Sequence, residues 1–139
     1  MRQIILLVFL LTIVGFSCQK NNEVFPSVQV NEYLDLNLPS YFDLNNGGWI
    51  YYPAGNKGLI IYRLSGSEFA VFDRTCTYDP NEACATIYVD QSNQSFATDT
   101  CCLSKYSILD GSNVSGPSSR PLVRYNADYL PNNVLHVYN

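Results

Sequence analysis

Four cysteines in the second half of the chain, Cys76, Cys84, Cys101 and Cys102, carry the residue chemistry that most needs explaining. Thiols at such spacing either pair as disulfides or, as thiolates, ligate a soft metal. Tyr78 follows Cys76 closely, Asp99 shortly precedes Cys102, and Cys101-Cys102-Leu103-Ser104-Lys105-Tyr106 runs on as one motif. The cellular compartment decides which chemistry prevails. In an oxidising one, an even set of cysteines defaults to two disulfides. One of the three pairings would join the adjacent Cys101 and Cys102, whose Cα separation of about 3.8 Å lies below the usual disulfide range. The other two both staple the loop after Phe72 to the loop before Tyr106, and spacing alone does not choose between them.

The start of the chain speaks for export. Met1-Arg2 is a short positive segment, Ile4 to Phe16 is almost unbroken in its apolar character, and Gly15-Phe16-Ser17 precedes Cys18. That run is short for a membrane span and suited to a signal peptide. A small residue before a cysteine, with polar Gln19-Lys20-Asn21-Asn22 after it, resembles a bacterial lipoprotein signal. Residues 1–17 are therefore expected as the signal peptide, and Cys18 as the lipid-modified first residue of the mature chain. Acyl chains bury methylenes at about 0.8 kcal/mol each and hold a protein at a membrane without a spanning helix. Residues 18–26 read as a flexible tether.

Residues 27–139 amount to a single domain. A formal net charge of −4 excludes a strongly basic footprint, and with it nucleic acid as a partner. No Gly-x-Ser-x-Gly elbow, phosphate loop or zinc signature occurs. Asp73, Asp79, Glu82, Asp90, Asp99 and Asp110 sit where strands end and turns begin, and read as backbone-bonding residues rather than catalytic pairs. His136, the one histidine, falls in the last strand pattern with ordinary hydrogen bonds expected.

The elements that must position the cysteines are strands. Tyrosine is the commonest aromatic, with 11 copies, and rings and β-branched side chains pack well on pleated faces. Short apolar runs at 30–36, 48–52, 58–64, 68–73, 86–90, 122–125 and 134–138 are each bounded by Gly, Pro, Asn or Ser, the punctuation of a small all-β sandwich or barrel. Leu64-Ser65-Gly66-Ser67-Glu68 predicts a hairpin turn, with further turns at 45–48 and 54–57. Trp49-Ile50-Tyr51-Tyr52, apolar on both alternating faces, reads as a strand covered on both sides. An exposed aromatic strip of Trp49, Tyr51, Tyr52 and Tyr62 is the weaker alternative. No amphipathic helix of about ten residues or more is visible.

Placed in this order, the motifs resemble those of the Rieske iron–sulfur family. That family has two cluster loops, Cys-x-His and Cys-x-x-His, the second continuing as His-Gly-Ser-x-Phe and then to Gly-Pro-Ala-x-x-Pro-Leu. Phe72-Asp73-Arg74-Thr75-Cys76-Thr77-Tyr78 is similar to the first loop, Ser104 and Tyr106 to the Ser and Phe, and Gly116-Pro117-Ser118-Ser119-Arg120-Pro121-Leu122 to the proline loop. The resemblance implies an all-β, Rieske-like antiparallel sandwich or barrel with two cysteine-bearing loops. The former ligand positions fall on Cys76, Tyr78, Asp99 and Cys102, so one ligand of four is retained and both histidines are gone. A [2Fe-2S] cluster of this class needs two thiolates on one iron and two imidazoles on the other. The expectation is accordingly no cofactor and no metal, with an intact [2Fe-2S] cluster as the alternative and a single ion at Cys76, Asp99 and Cys102 ranked lower. Some Rieske domains bridge their two loops by a disulfide. Cys101 aligns with its second member, and Cys84 is the only candidate for its first, lying three residues beyond the family's spacing across a lengthened Asp79-Pro80-Asn81-Glu82-Ala83. The resemblance thus implies Cys84–Cys101, with Cys76–Cys102 as a second bond where iron once tied the loops, and Tyr78 covering the vacated space.

The expected protein is a lipid-anchored envelope lipoprotein, not an enzyme, acting as a disulfide-stapled binding or structural module. Its expected partners are the membrane, through the lipid on Cys18, and an envelope protein or small molecule. A Rieske-type electron carrier and a thiol–disulfide redox protein are the alternatives. Replacing Cys18 by alanine should move the protein from the detergent-extracted membrane fraction to the soluble exported fraction and abolish labelling by a palmitate analogue.

Overall fold

The computed structural model describes residues 24–139. The expected signal peptide, Cys18 and most of the tether lie outside the described residues. Among those described, ten strands form two antiparallel sheets. The strands are β1 (Asn31–Asp35), β2 (Trp49–Tyr52), β3 (Leu59–Arg63), β4 (Phe69–Asp73), β5 (Ile87–Val89), β6 (Phe96–Asp99), β7 (Lys105–Ser107), β8 (Asn113–Ser115), β9 (Arg124–Leu130) and β10 (Val134–Tyr138). The larger sheet runs β1-β10-β9-β4-β3-β2 and the smaller β5-β6-β7-β8. One four-residue helix, α1 (Phe42–Asn45), follows a single 3-10 turn between β1 and β2. No helix among the described residues is long and apolar enough to cross a membrane.

The β3–β4 hairpin is the wall that both cores share. Side chains alternate across a strand, so Leu59, Ile61, Phe69 and Val71 face one cluster with Leu34, Leu36, Leu44, Tyr125, Leu135 and Val137. Ile60, Ala70 and Phe72 face the other, with Ile87, Ala97, Tyr106, Ile108 and Leu122. Burial on both faces explains why Leu59-Ile60-Ile61 and Phe69-Ala70-Val71-Phe72 are continuous apolar runs rather than alternating ones. The predicted hairpin turn lies where expected, closed by Leu64 N–H donating to Glu68 O at 2.9 Å.

Three expectations need correction. Double coverage belongs to β3 and β4; β2, where the residue pattern suggests it, is the sheet edge, with Tyr51 38 % exposed. The strand expected at 122–125 begins at Arg124 and runs on to Leu130, because Leu122 instead turns into the second core and donates its N–H to Gly111 O at 2.8 Å. Strands β6, β7 and β8 were not expected: they are three or four residues long, and polar residues break their apolar pattern.

Gly111 shows how tightly the smaller sheet sits on the hairpin. Its φ is +80°, and a Cβ there would fall 2.6 Å from Phe72 Cε1. Alanine at this position is strained in backbone and packing alike. Gly111→Ala should lower the unfolding free energy by about 1–3 kcal/mol in urea titrations, whereas Gly66→Ala, where nothing lies within 4 Å, should leave the midpoint nearly unchanged.

Candidate cysteine and carboxylate site

The site begins where β4 ends. Asp73 is fully buried, and its carboxylate accepts from Thr75 N at 2.9 Å, Thr75 Oγ1 at 2.6 Å, Asn56 N at 2.7 Å and Tyr125 Oη at 3.1 Å. Lys57 N adds a longer contact at 3.4 Å. Burial of a carboxylate is tolerated when its lone pairs are met in this way. The close approach of the 54–57 turn requires Gly55, at φ +74°, since a Cβ there would lie 2.6 Å from Asp73 Oδ2. The same charge, after burial, raises the Tyr125 hydroxyl well above its ordinary pKa. Asp73 thus fixes the direction in which the chain leaves β4, and with it the start of the first cysteine loop.

That loop, 74–86, is tied along its length. Arg74 N–H donates to Gly58 O at 2.8 Å, and its guanidinium stacks 3.8 Å from the Tyr51 ring centre. Cys76 N–H donates to Ala85 O at 3.0 Å, while Lys57 Nζ reaches Glu82 O and Ala85 O. The second loop, 100–104, is a tight turn between β6 and β7. Asp99 N–H donates to Ser104 O at 2.9 Å, Leu103 N–H to Asp99 O at 3.0 Å, and Asp99 Oδ1 accepts Cys101 N–H at 2.6 Å. Leu103 holds a left-handed φ of +61°.

The proline loop locks both. Ser118 N–H donates to Ser104 Oγ at 3.0 Å, and Thr77 Oγ1 lies 2.9 Å from Ser118 Oγ and 3.2 Å from Tyr106 Oη. Thr77 Oγ1 also donates to Arg120 O at 2.9 Å, and Arg120 Nη2 donates back to Thr77 O at 2.7 Å. Gly116 sits so close to the second loop that a Cβ would fall 2.5 Å from Ser104 Cα.

Where these loops meet, a disulfide joins Cys84 to Cys101, with Cα atoms 5.6 Å apart, as the sequence resemblance implied. The second implied bond is absent: Cys76 and Cys102 stand as free thiols with their sulfurs 3.2 Å apart. Each sulfur has other polar neighbours. Cys102 Sγ lies 3.4 Å from Asp99 Oδ2 and 3.2 Å from Ser104 Oγ, and Cys76 Sγ lies 3.4 Å from Tyr106 Oη. Burial first, and the facing Asp99 second, push the Cys76 thiol up to about 12. Burial and Cys76 likewise raise Tyr106 to about 12. Of the four positions that the resemblance singles out, Cys76, Asp99 and Cys102 come together, with their ligand atoms within 4.8 Å of one another. Tyr78 is 43 % exposed, and Tyr106, fully buried, lies beside Cys76 with Oη 3.4 Å from its sulfur. The sequence match placed Tyr106 at the family's phenylalanine and carried no signal for its burial or its hydroxyl.

Other candidates lie elsewhere. Asp90 and Asp110 cap turns, accepting from Ser92 N at 2.8 Å and Ser112 N at 3.1 Å, as expected of turn carboxylates. His136 bonds Asn31 Oδ1 through Nε2 at 2.8 Å and stacks between Tyr33 and Tyr138. Trp49, Tyr51 and Tyr52 line an open groove along the β2 edge with Tyr41, Asp43 and Gln91; that groove contains none of the cysteines. The chain matches no protein-family model and no curated protein in sequence.

The bonding pattern has a chemical consequence. Titration of the mature protein in denaturant should find two free thiols, Cys76 and Cys102. Replacing both Cys84 and Cys101 by serine should lower the unfolding free energy by about 3 kcal/mol, the contribution of a bond closing a loop of this length.

Proposed function

We propose that this chain is a membrane-anchored envelope lipoprotein with a Rieske-like domain that holds no [2Fe-2S] cluster and serves as a stapled binding or structural module. The observation that carries the reading is the 3.2 Å between Cys76 Sγ and Cys102 Sγ. In the family's pattern these positions serve different irons. A metal–thiolate bond is about 2.3 Å, so two irons and their bridging sulfides cannot fit between sulfurs in contact. The remaining donors do not repair the set. Asp99 turns Oδ2 toward the same point as the two thiols, and Tyr78 stands partly in solvent. The four positions do not fit the cluster, and no step of electron transfer is assigned to them.

Support for the family reading itself comes from the arrangement of three loops. The two cysteine loops face each other at one end of the smaller sheet, cross-linked by Cys84–Cys101, and the proline loop closes over both through Thr77, Ser104 and Ser118. Membrane attachment rests on the sequence pattern at Cys18. A thiol–disulfide exchange role has less behind it, since Cys76 is buried and its raised pKa disfavours the nucleophilic thiolate.

The protein isolated anaerobically from its host envelope should be colourless, free of stoichiometric iron, and still so after incubation with ferrous iron and sulfide. A brown protein with two irons per chain would replace this reading with that of a Rieske-type electron carrier.

A further inference from the structure

We infer that Cys76 Sγ, Asp99 Oδ2 and Cys102 Sγ form a mononuclear site for a zinc-class divalent ion, with its fourth coordination position open to water beside Cys102. The inference stands on distances rather than on family likeness. The three ligand atoms lie within 4.8 Å of one another, with the sulfurs 3.2 Å apart and Cys102 Sγ 3.4 Å from the carboxylate. A tetrahedral ion with bonds of about 2.3 Å to sulfur and about 2.1 Å to oxygen sets two sulfurs about 3.8 Å apart and a sulfur–oxygen pair about 3.6 Å apart. Seating the ion parts the two sulfurs by about 0.6 Å and moves Cys102 Sγ and the carboxylate about 0.2 Å apart, while Cys76 Sγ and the carboxylate oxygen stand within 4.8 Å of each other.

The donor set selects the ion. Two sulfurs and one carboxylate oxygen suit zinc and its softer neighbours, and do not suit magnesium or calcium, which take oxygen shells. The surroundings orient the ligands as a metal site requires. Asp99 Oδ1 is held by Cys101 N–H at 2.6 Å, which leaves Oδ2 for the ion. The Cys84–Cys101 bond removes the other two thiols from competition and fixes the spacing of the loops. Cys76 and Asp99 are fully buried while Cys102 is half-buried, so the open position faces outward on the Cys102 side. Binding releases both thiol protons to solvent and forms two metal–sulfur bonds, leaving one net negative charge on the ion and its three ligands. Bound as thiolates to the ion, the two cysteines would also be protected from pairing in an oxidising compartment.

The test uses the full-length lipoprotein isolated anaerobically in detergent, with zinc and cobalt(II) as probes. One zinc per chain by mass spectrometry is expected. So is a cobalt adduct with the near-ultraviolet sulfur-to-metal charge-transfer band and the visible d–d bands of a tetrahedral thiolate ion. Cys102→Ala and Asp99→Asn should each weaken cobalt binding at least about 100-fold, while the Cys84–Cys101 bond and the thermal transition report that the variants fold. A protein that takes up no cobalt with a charge-transfer band would overturn the site, and so would a Cys76–Cys102 disulfide mapped in freshly isolated protein. Both of these outcomes are measured on the unmutated chain, so a variant that fails to fold does not blunt them. Failure here in a colourless, iron-free protein leaves the cluster-free reading intact, whereas two irons per chain would sink that reading.

Discussion

Burial of β4 on both faces is the constraint from which the thiol pocket follows. A strand with no solvent side cannot release its chain gradually into a loop. Its last residue, Asp73, lies inside the protein as a carboxylate and must be satisfied there. Donors from the 54–57 turn, from Thr75 and from Tyr125 on β9 do this. They also stop the first cysteine loop from swinging on its exit, and the position of Cys76 is set before any contact between thiols is made. Among the described residues no buried side-chain nitrogen or oxygen lacks a hydrogen-bond partner, so this polar centre meets the condition under which such networks rigidify rather than weaken a core.

The far side of the pocket is organised by a different device, direct backbone approach. Gly116 brings the proline loop against Ser104, and Gly111 brings the β7–β8 turn against Phe72, at separations that no side chain permits. Thr77 then links first loop, proline loop and Tyr106 through a single hydroxyl. The three loops therefore act as one unit. A disturbance of the second loop is felt at Thr77 through Ser104 and Ser118, without passing through the sulfurs.

Much of this was legible in the residues, and the illegible part has physical causes. Strand content and the Leu64–Glu68 hairpin followed from local patterns, because apolar runs and turn residues act over a few positions, and the association of the two cysteine loops followed from the geometry that bars a bond between adjacent cysteines. The Cys84–Cys101 pairing did not follow from spacing, which left two pairings open; it needed the family likeness. Strands β6 to β8 escaped because polar residues interrupt their three or four positions. The error over β2 is more instructive. Aromatic residues on both faces of Trp49–Tyr52 suggested full cover, yet large rings serve equally well at a sheet edge, where they shield one another, as Trp49 and Tyr51 do with ring centres 4.7 Å apart. Composition could not tell an edge from an interior, since the distinction lies in topology.

Tyr78 and Tyr106 differ in how far they are buried, the first 43 % exposed and the second fully buried. A ring meant to cover a cavity must come from an element whose side chains point inward, and β7 supplies Tyr106 in that direction, with its hydroxyl between Cys76 and Thr77. Tyr78 follows Thr77 in a bend of the first loop, where Cys76 and Thr77 are both buried and Tyr78 is exposed. The exposed end of the molecule consequently carries Tyr78 and Leu103, the latter 70 % exposed in a left-handed turn, over a polar, sulfur-containing interior. The loop network beneath them is held by buried polar groups that all have hydrogen-bond partners among the described residues.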